Sequence, residues 1–341
     1  MVRASRNPIA GSVGALGEVG LLDAIAKLPR SRSVRGVEIG IGDDAAVLKK
    51  LKQNAVLSTD MLVEGVDFDL AWATWAEIGH KAAAANLSDL AAMGATPRAT
   101  LLCLALRPHD RVRNVLQLVR TVAEVAGTYG APLVGGDLSG TGGPVVVSVT
   151  VVGEAHKARL LRRHRAAPGD RVLVSGTLGG AALGLALMRR GAKTPGRYRR
   201  RQLRPEPRLK LGAALAYSGK VTAAADISDG LAKDALHLPR EGCGVELDMT
   251  RLPVSPGFAA LAREHGLDPL RLALAGGEDF ELVVAAPLRH VRAVQNIGAR
   301  TGVPLTEVGQ VTDRPGITCV GGPAGFAAAG FEHFNGPKAT V

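Results

Sequence analysis

The chain has 341 residues and a formal net charge of +11, with 46% apolar and only 3% aromatic residues. That length suits two domains, and that apolar share excludes wholesale disorder. Three scattered cysteines (Cys103, Cys243, Cys319) without a CxxC pair argue against a disulfide framework or a zinc site, and no apolar run approaches the roughly 18 residues of a membrane span, so the expected setting is the cytoplasm.

In chain order, Val, Ile and Leu runs bounded by Gly or Asp predict strands at 37–41, 54–60, 100–106, 144–153, 170–176, 244–249 and 281–286, with a further strand at APLV (131–134). Ala-rich and Leu-rich segments between them predict helices at 75–94, 110–130, 179–191 and 228–243. Strands and helices alternate in both halves, which defines an α/β (α+β) class. The run PVVVSVTVVG followed by a basic stretch and APGD sets a boundary near residue 153, giving domains 1–153 and 154–341.

The positive charge is local. Residues 189–210 carry ten Lys or Arg against one acid, and 156–171 carry six against one, so the remainder of the chain is slightly acidic. With Tyr198 the only aromatic in the denser segment, base-stacking platforms are lacking, and 189–210 is expected to be a solvated, mobile basic loop. Nucleic acid is not an expected partner on these grounds.

Acids recur where strands and helices end. GIGDDA (40–45) satisfies the GxGxxA spacing of a dinucleotide fold, with Asp60 twenty residues on. However, Asp43 and Asp44 would repel a pyrophosphate, and too few residues separate Ala45 from the next strand for a helical crossover. Further acids lie in STD (58–60), in NLSDLAAMGA (86–95) with Asn86 and Asp89 one helical turn apart, in GGD (135–137), in DISDGL (226–231) and in GGEDFEL (276–282). Taken singly, each is ordinary turn or cap chemistry. As a set they suit Mg²⁺ held by hard oxygen ligands against nucleotide phosphates. GxxxxGK[ST] and HExxH are both missing, which excludes a P-loop kinase and leaves zinc hydrolysis unsupported. The Gly-rich GTLGGAALG (176–184) lacks a phosphate-binding Lys and reads as close helix packing.

Together GEVGLLDAI (17–25), GIGDDAAVL (40–48), LSTDMLVEGVDF (57–68), KAAAANLSDLAAMGATP (81–97), LVGGDLS (133–139), LRPEPR (203–208), DISDGL, GGEDFEL and GFEHF (330–334) resemble the thiamine-monophosphate kinase family, within the aminoimidazole ribonucleotide synthetase-like superfamily. The resemblance implies an N-terminal mixed-sheet domain that dimerises through its sheet, a C-terminal α/β domain, and ATP with several Mg²⁺ ions between them. It implies a homodimer that transfers phosphate from ATP to thiamine phosphate. It assigns Asp44, Ser58, Thr59, Asp60, Asp89, Asp137, Asp226 and Asp229 to Mg²⁺, and Gly136, Asp137, Arg163 and Ser228 to ATP. Asp67, Glu278 and Phe331 fall at substrate-contacting positions. The family often has a histidine where this chain has Asp67, which keeps open a related synthetase or kinase acting on a different phosphorylated acceptor.

Overall fold

The computed structural model describes residues 11–28, 36–41, 45–156, 159–323 and 330–331. Asp43 and Asp44 lie outside the described residues. The chain divides into two compact units, one of residues 1–87 with 97–154, the other of 88–96 with 155–341. No helix among the described residues is long and apolar enough to cross a membrane.

The first unit is built on a four-stranded sheet in the order β3-β6-β4-β5. A separate short pair, β1 (Val37–Ile39) and β2 (Val47–Leu48), is antiparallel. Strand β3 (Ala55–Val63) runs antiparallel to β6 (Val146–Glu154), whereas β4 (Thr96–Leu106) and β5 (Leu133–Gly140) are parallel. A parallel pair needs a crossover, which α3 (Val112–Thr128) supplies. Helix α3 buries Val112, Val115, Leu116, Val119 and Val122 on one stripe, the spacing of an amphipathic helix. Helix α2 (Trp75–Ala92) passes close to it because Gly79 has no side chain: a Cβ there would lie 2.5 Å from the Leu118 carbonyl oxygen.

Period-two alternation decides what β3 offers. Leu62 is buried, Ser58 and Asp60 share its face, and Leu57, Thr59 and Met61 point the other way. The same split runs across β6, where Val147, Val149 and Val151 are fully buried and Ser148, Thr150 and Val152 are not. One face of the sheet is thus core. The other exposes Leu57 at 66% and Met61 at 60% on an edge strand.

The second unit holds a six-stranded mixed sheet in the order β12-β9-β11-β7-β10-β8. Its centre is β7 (Arg171–Ser175) and β10 (Leu282–Ala286), flanked by β11 (Leu305–Thr312) and β8 (Ala223–Asp226). All five residues of β10 are buried, as expected of a strand covered on both faces. Strands β9 (Gly244–Asp248) and β12 (Gly316–Val320) complete the sheet as a parallel pair.

Three sequence expectations change here. GGD does not follow a strand but lies inside β5, where a Cβ on Gly136 would collide with the Leu102 carbonyl of β4. The helix expected over 228–243 shrinks to α7 (Leu231–Asp234) and one 3₁₀ turn, because Pro239 has no N–H to donate and Gly242 takes a left-handed φ of 80°. The basic stretch 189–210 is not a mobile loop. It contains α5 (Gly196–Leu203), which buries Tyr198, Gln202 and Leu203, and it leads into α6 (Leu209–Ser218). Helix α5 lies against α4 (Gly180–Arg189), where a Cβ on Gly184 would strike the Tyr198 carbonyl, so Gly184 serves close helix packing, whereas Gly176 and Gly179 take left-handed turns before α4.

Candidate active site

In the second unit the acids gather where β8 ends. Asp226 is only 3% exposed, and Ser88 Oγ donates to its Oδ2 (2.9 Å) from the last turn of α2. Arg163 Nη2 lies 4.0 Å from its Oδ1, a marginal ion pair for a half-exposed guanidinium. Burial first, then the nearby charge of Asp89, pushes the Asp226 carboxyl up to about 7, with Asp234 adding to the rise and the Ser88 hydrogen bond opposing it. A buried carboxyl raised by two other acids is short of positive charge. A divalent cation would supply it.

The loop that follows is shaped by an acid the motifs did not single out. Asp234 Oδ2 accepts from the backbone N–H groups of Ser228 (2.9 Å), Asp229 (2.9 Å) and Gly230 (3.1 Å), folding DISDG around one buried oxygen. Burial pushes this carboxyl up to about 6, and those backbone donors pull against it. Asp229 projects from the loop and pairs with Lys233 Nζ (2.7 Å), whose ammonium also donates to the Phe331 carbonyl (2.7 Å). The Phe331 N–H in turn donates to the Asp229 carbonyl (3.0 Å). Since Asp234 organises the loop by accepting three backbone donors, Asp234→Asn, which keeps an acceptor oxygen, should retain most activity, whereas Asp234→Ala should lose at least tenfold. Steady-state rates of the two variants, with melting temperatures as control, check this; equal activity in both would contradict it.

The GGED loop packs against DISDG. The Glu278 N–H donates to the Ser228 carbonyl (2.8 Å), and Glu278 takes an unusual positive φ of 59° for a residue with a side chain. Its Oε2 accepts from Gln202 Nε2 of α5 (2.5 Å). The neighbouring acids have structural work. Asp279 accepts from the Gly179 (2.7 Å) and Ala181 (3.3 Å) N–H groups at the start of α4. Glu281, fully buried, is held by Arg201 Nη2 (2.9 Å), Arg208 Nε (2.7 Å) and Ser175 Oγ (2.6 Å). Two arginines of the basic stretch thus neutralise a buried carboxylate.

Asp89, Arg163, Asp226, Ser228, Asp229, Glu278 and Phe331 therefore all belong to the second unit. Ser58, Thr59, Asp60, Asp67, Gly136 and Asp137 belong to the first. There, Asp60 is fixed through its backbone: its N–H donates to Asn86 Oδ1 (2.9 Å) and its carbonyl accepts from Ser148 Oγ (3.1 Å). Ser58 shares the Asp60 face, but the Thr59 hydroxyl is turned to the opposite one, bonded to Thr150 Oγ1 (2.9 Å) and the Val149 carbonyl (3.1 Å). Strand alternation thus separates the Thr59 hydroxyl from the Asp60 carboxylate. Asp137 is exposed on β5, at the other edge of the four-stranded sheet from Asp60. Asp67 closes its own turn, its Oδ2 accepting from the Val63 N–H (2.8 Å), while its carbonyl takes the buried Lys81 ammonium (2.7 Å). Among the described residues no three His, Cys, Asp or Glu side chains form a ready-made metal cage. Mg²⁺ needs none, since it commonly takes one or two carboxylates and completes its octahedron with water and substrate phosphate.

Residues 42–155 match the AIR synthase related protein, N-terminal domain, and residues 167–322 the corresponding C-terminal domain. The two mixed sheets and the acid-lined loop after β8 are thus those of an AIR synthase related protein. Within that class, the chain is 37% identical to the thiamine-monophosphate kinase of Rhodopirellula baltica over 84% of its own length and 88% of the relative's. It superimposes on the crystal structure of thiamine-monophosphate kinase from Stenotrophomonas maltophilia with a TM-score of 0.78 at 35% identity, covering 88% of this chain and 96% of that one. With AaThiL complexed with AMPPCP and TMP the TM-score is 0.74 at 31% identity, covering 94% and 98%. The chain belongs to the thiamine-monophosphate kinase family.

Proposed function

We propose that this chain transfers the γ-phosphoryl group of ATP to thiamine monophosphate, forming thiamine diphosphate and ADP. The observation that carries the reading is near full-length similarity to a relative complexed with AMPPCP and TMP. The loop geometry at the end of β8 supports it. The acceptor is itself a phosphate monoester, with a second pKa of roughly 6, so near neutral pH it attacks as an oxyanion and needs no general base. The obstacle is repulsion between two polyanions.

Asp226, Asp229 and Asp89 of the second unit would hold Mg²⁺, as would Asp60, Ser58 and Asp137 of the first; Asp44 is assigned to Mg²⁺ by its motif alone. Bound there, Mg²⁺ neutralises phosphate charge and aligns an in-line displacement. Thr59 would contribute by its backbone alone. Arg163 and Ser228, with Gly136, would face ATP. Glu278 and Phe331 would contact the thiamine moiety. Asp67, whose Oδ2 accepts from the Val63 N–H, would stand beside the substrate through the rest of its carboxylate. ATP and Mg²⁺ supply place the reaction in the cytoplasm. The test is ADP release with thiamine phosphate compared with other phosphate monoesters. Release only with thiamine phosphate is expected, and silence with it while another acceptor reacts would overturn the reading.

We infer also that the chain pairs with a second copy through the exposed face of the first unit's sheet. An edge strand presenting Leu57 and Met61 to water is an association hazard unless it is covered. Leu57→Asp with Met61→Asp is expected to convert a dimer to a monomer in sedimentation velocity. An unaltered sedimentation coefficient would place the interface elsewhere.

A further inference from the structure

We propose that Gln202 is a positioning residue that aims the Glu278 carboxylate, and that helix α5 holds Gln202 in register for it. The inference rests on the reading of Glu278 as a thiamine contact.

Gln202 is fully buried, and its Nε2 donates to Glu278 Oε2 at 2.5 Å. Its other amide atom, Oε1, is buried without a hydrogen-bond partner among the described residues. An orphaned amide oxygen in the interior costs stability, and an apolar side chain of similar size would avoid that cost. A purely structural position would therefore favour Leu or Met. What glutamine adds is one N–H directed at one carboxylate oxygen.

The surroundings keep that N–H in place. Arg201, the preceding residue, donates to Glu281 Oε1 (2.9 Å) and to the Thr177 carbonyl (2.6 Å). Arg208, beyond the helix, grips the same carboxylate through Nε (2.7 Å) and Nη2 (2.5 Å). Tyr198 anchors the opposite end of α5, fully buried, with its hydroxyl 3.2 Å from Ser255 Oγ. The Glu278 backbone is fixed separately by the Ser228 carbonyl. Carboxylate and main chain are thus each tied down, which is what a binding group needs if its geometry is to be set before substrate arrives. The chemistry of the donor matters as well. Thiamine carries a permanently cationic thiazolium ring, and a neutral amide orients a carboxylate without cancelling the charge that attracts it. A lysine or arginine at 202 would cancel it.

Gln202→Leu is expected to raise KM for thiamine phosphate about tenfold, corresponding to about 1.4 kcal/mol. KM for ATP should move less than twofold, and the melting temperature should stay level or rise. Gln202→Glu places two carboxylates side by side. Its KM for thiamine phosphate, relative to native enzyme, should be far higher at pH 8.5 than at pH 6, where the pair shares a proton. A filler role for Gln202 predicts neither the KM split nor the pH dependence. Native enzyme is assayed first: failure to make thiamine diphosphate overturns the functional reading and this inference with it. Native turnover with an unaltered thiamine-phosphate KM in Gln202→Leu, or with no pH dependence in Gln202→Glu, overturns this inference alone.

Discussion

Asp226→Asn is expected to cut turnover by about 10²–10³ while making the substrate-free protein more stable, the activity loss being the size seen when one preorganised electrostatic group is removed. The two effects share a cause. Unfolded, the Asp226 carboxyl titrates near 3.8; folded, burial and the Asp89 charge push it up to about 7. The folded state therefore binds the proton more tightly, so stability is highest at low pH, falls as pH climbs from about 4 to 7, and then levels off. At about 1.4 kcal/mol for each pH unit between the two values, the loss from this group reaches about 4 kcal/mol at most. Asp234 and Asp279, both pushed up to about 6, act in the same direction. Asparagine keeps an acceptor for Ser88 and removes the charge. Without Mg²⁺ or nucleotide, the native melting temperature should drop between pH 5 and pH 8, and the Asp226→Asn temperature should drop less. Mg²⁺ with ATP should raise the native value at pH 8 and leave the variant nearly unmoved. A variant that melts like native protein at both pH values and turns over normally would remove Asp226 from the proposed metal site.

The second large effect is on stability. Glu281→Ala should cost 3–5 kcal/mol, about the loss found when one partner of a buried ion network is deleted and the other charge is stranded. Here two guanidiniums, Arg201 and Arg208, would lose their shared carboxylate. Replacing all three residues at once (Glu281→Leu, Arg201→Met, Arg208→Met) should recover much of that loss, since the desolvation cost of the charges disappears with them. Urea unfolding midpoints separate the two cases. A Glu281→Ala midpoint equal to native would mean that the network contributes nothing.

The legible parts of this protein are those where local chemistry decides. Alternation in NAVLSTD and PVVVSVTVVG located β3 and β6, and the Ala-rich run 75–94 located α2. The acids of DISDGL stood out as members of a recurring set of acids beside glycines, not from any one of them alone. The parts that were not legible depend on distant partners. Nothing near Glu281 announces Arg201 and Arg208, which are 80 and 73 residues away, so the basic stretch read as a solvated loop instead of a helix. Asp234 looked like a polar residue within a longer helix. It became visible as the organiser of the loop only once the backbone had turned back onto it. Strand β8 was missed because TAAAD carries alanines, which favour helix, and only burial between neighbours makes them a strand. Thr59 shows the reverse case: the strand was read correctly, and the alternation that identified it also turns its hydroxyl away from Asp60.

The most direct measurement of the central claim follows the transferred phosphorus by ³¹P NMR in a mixture of native protein, ATP, Mg²⁺ and thiamine phosphate. A diphosphate resonance of thiamine diphosphate growing in step with ADP, and lost on chelation of Mg²⁺, is the predicted result. ATP consumed to ADP and inorganic phosphate, with the thiamine phosphate signal unchanged, would contradict it.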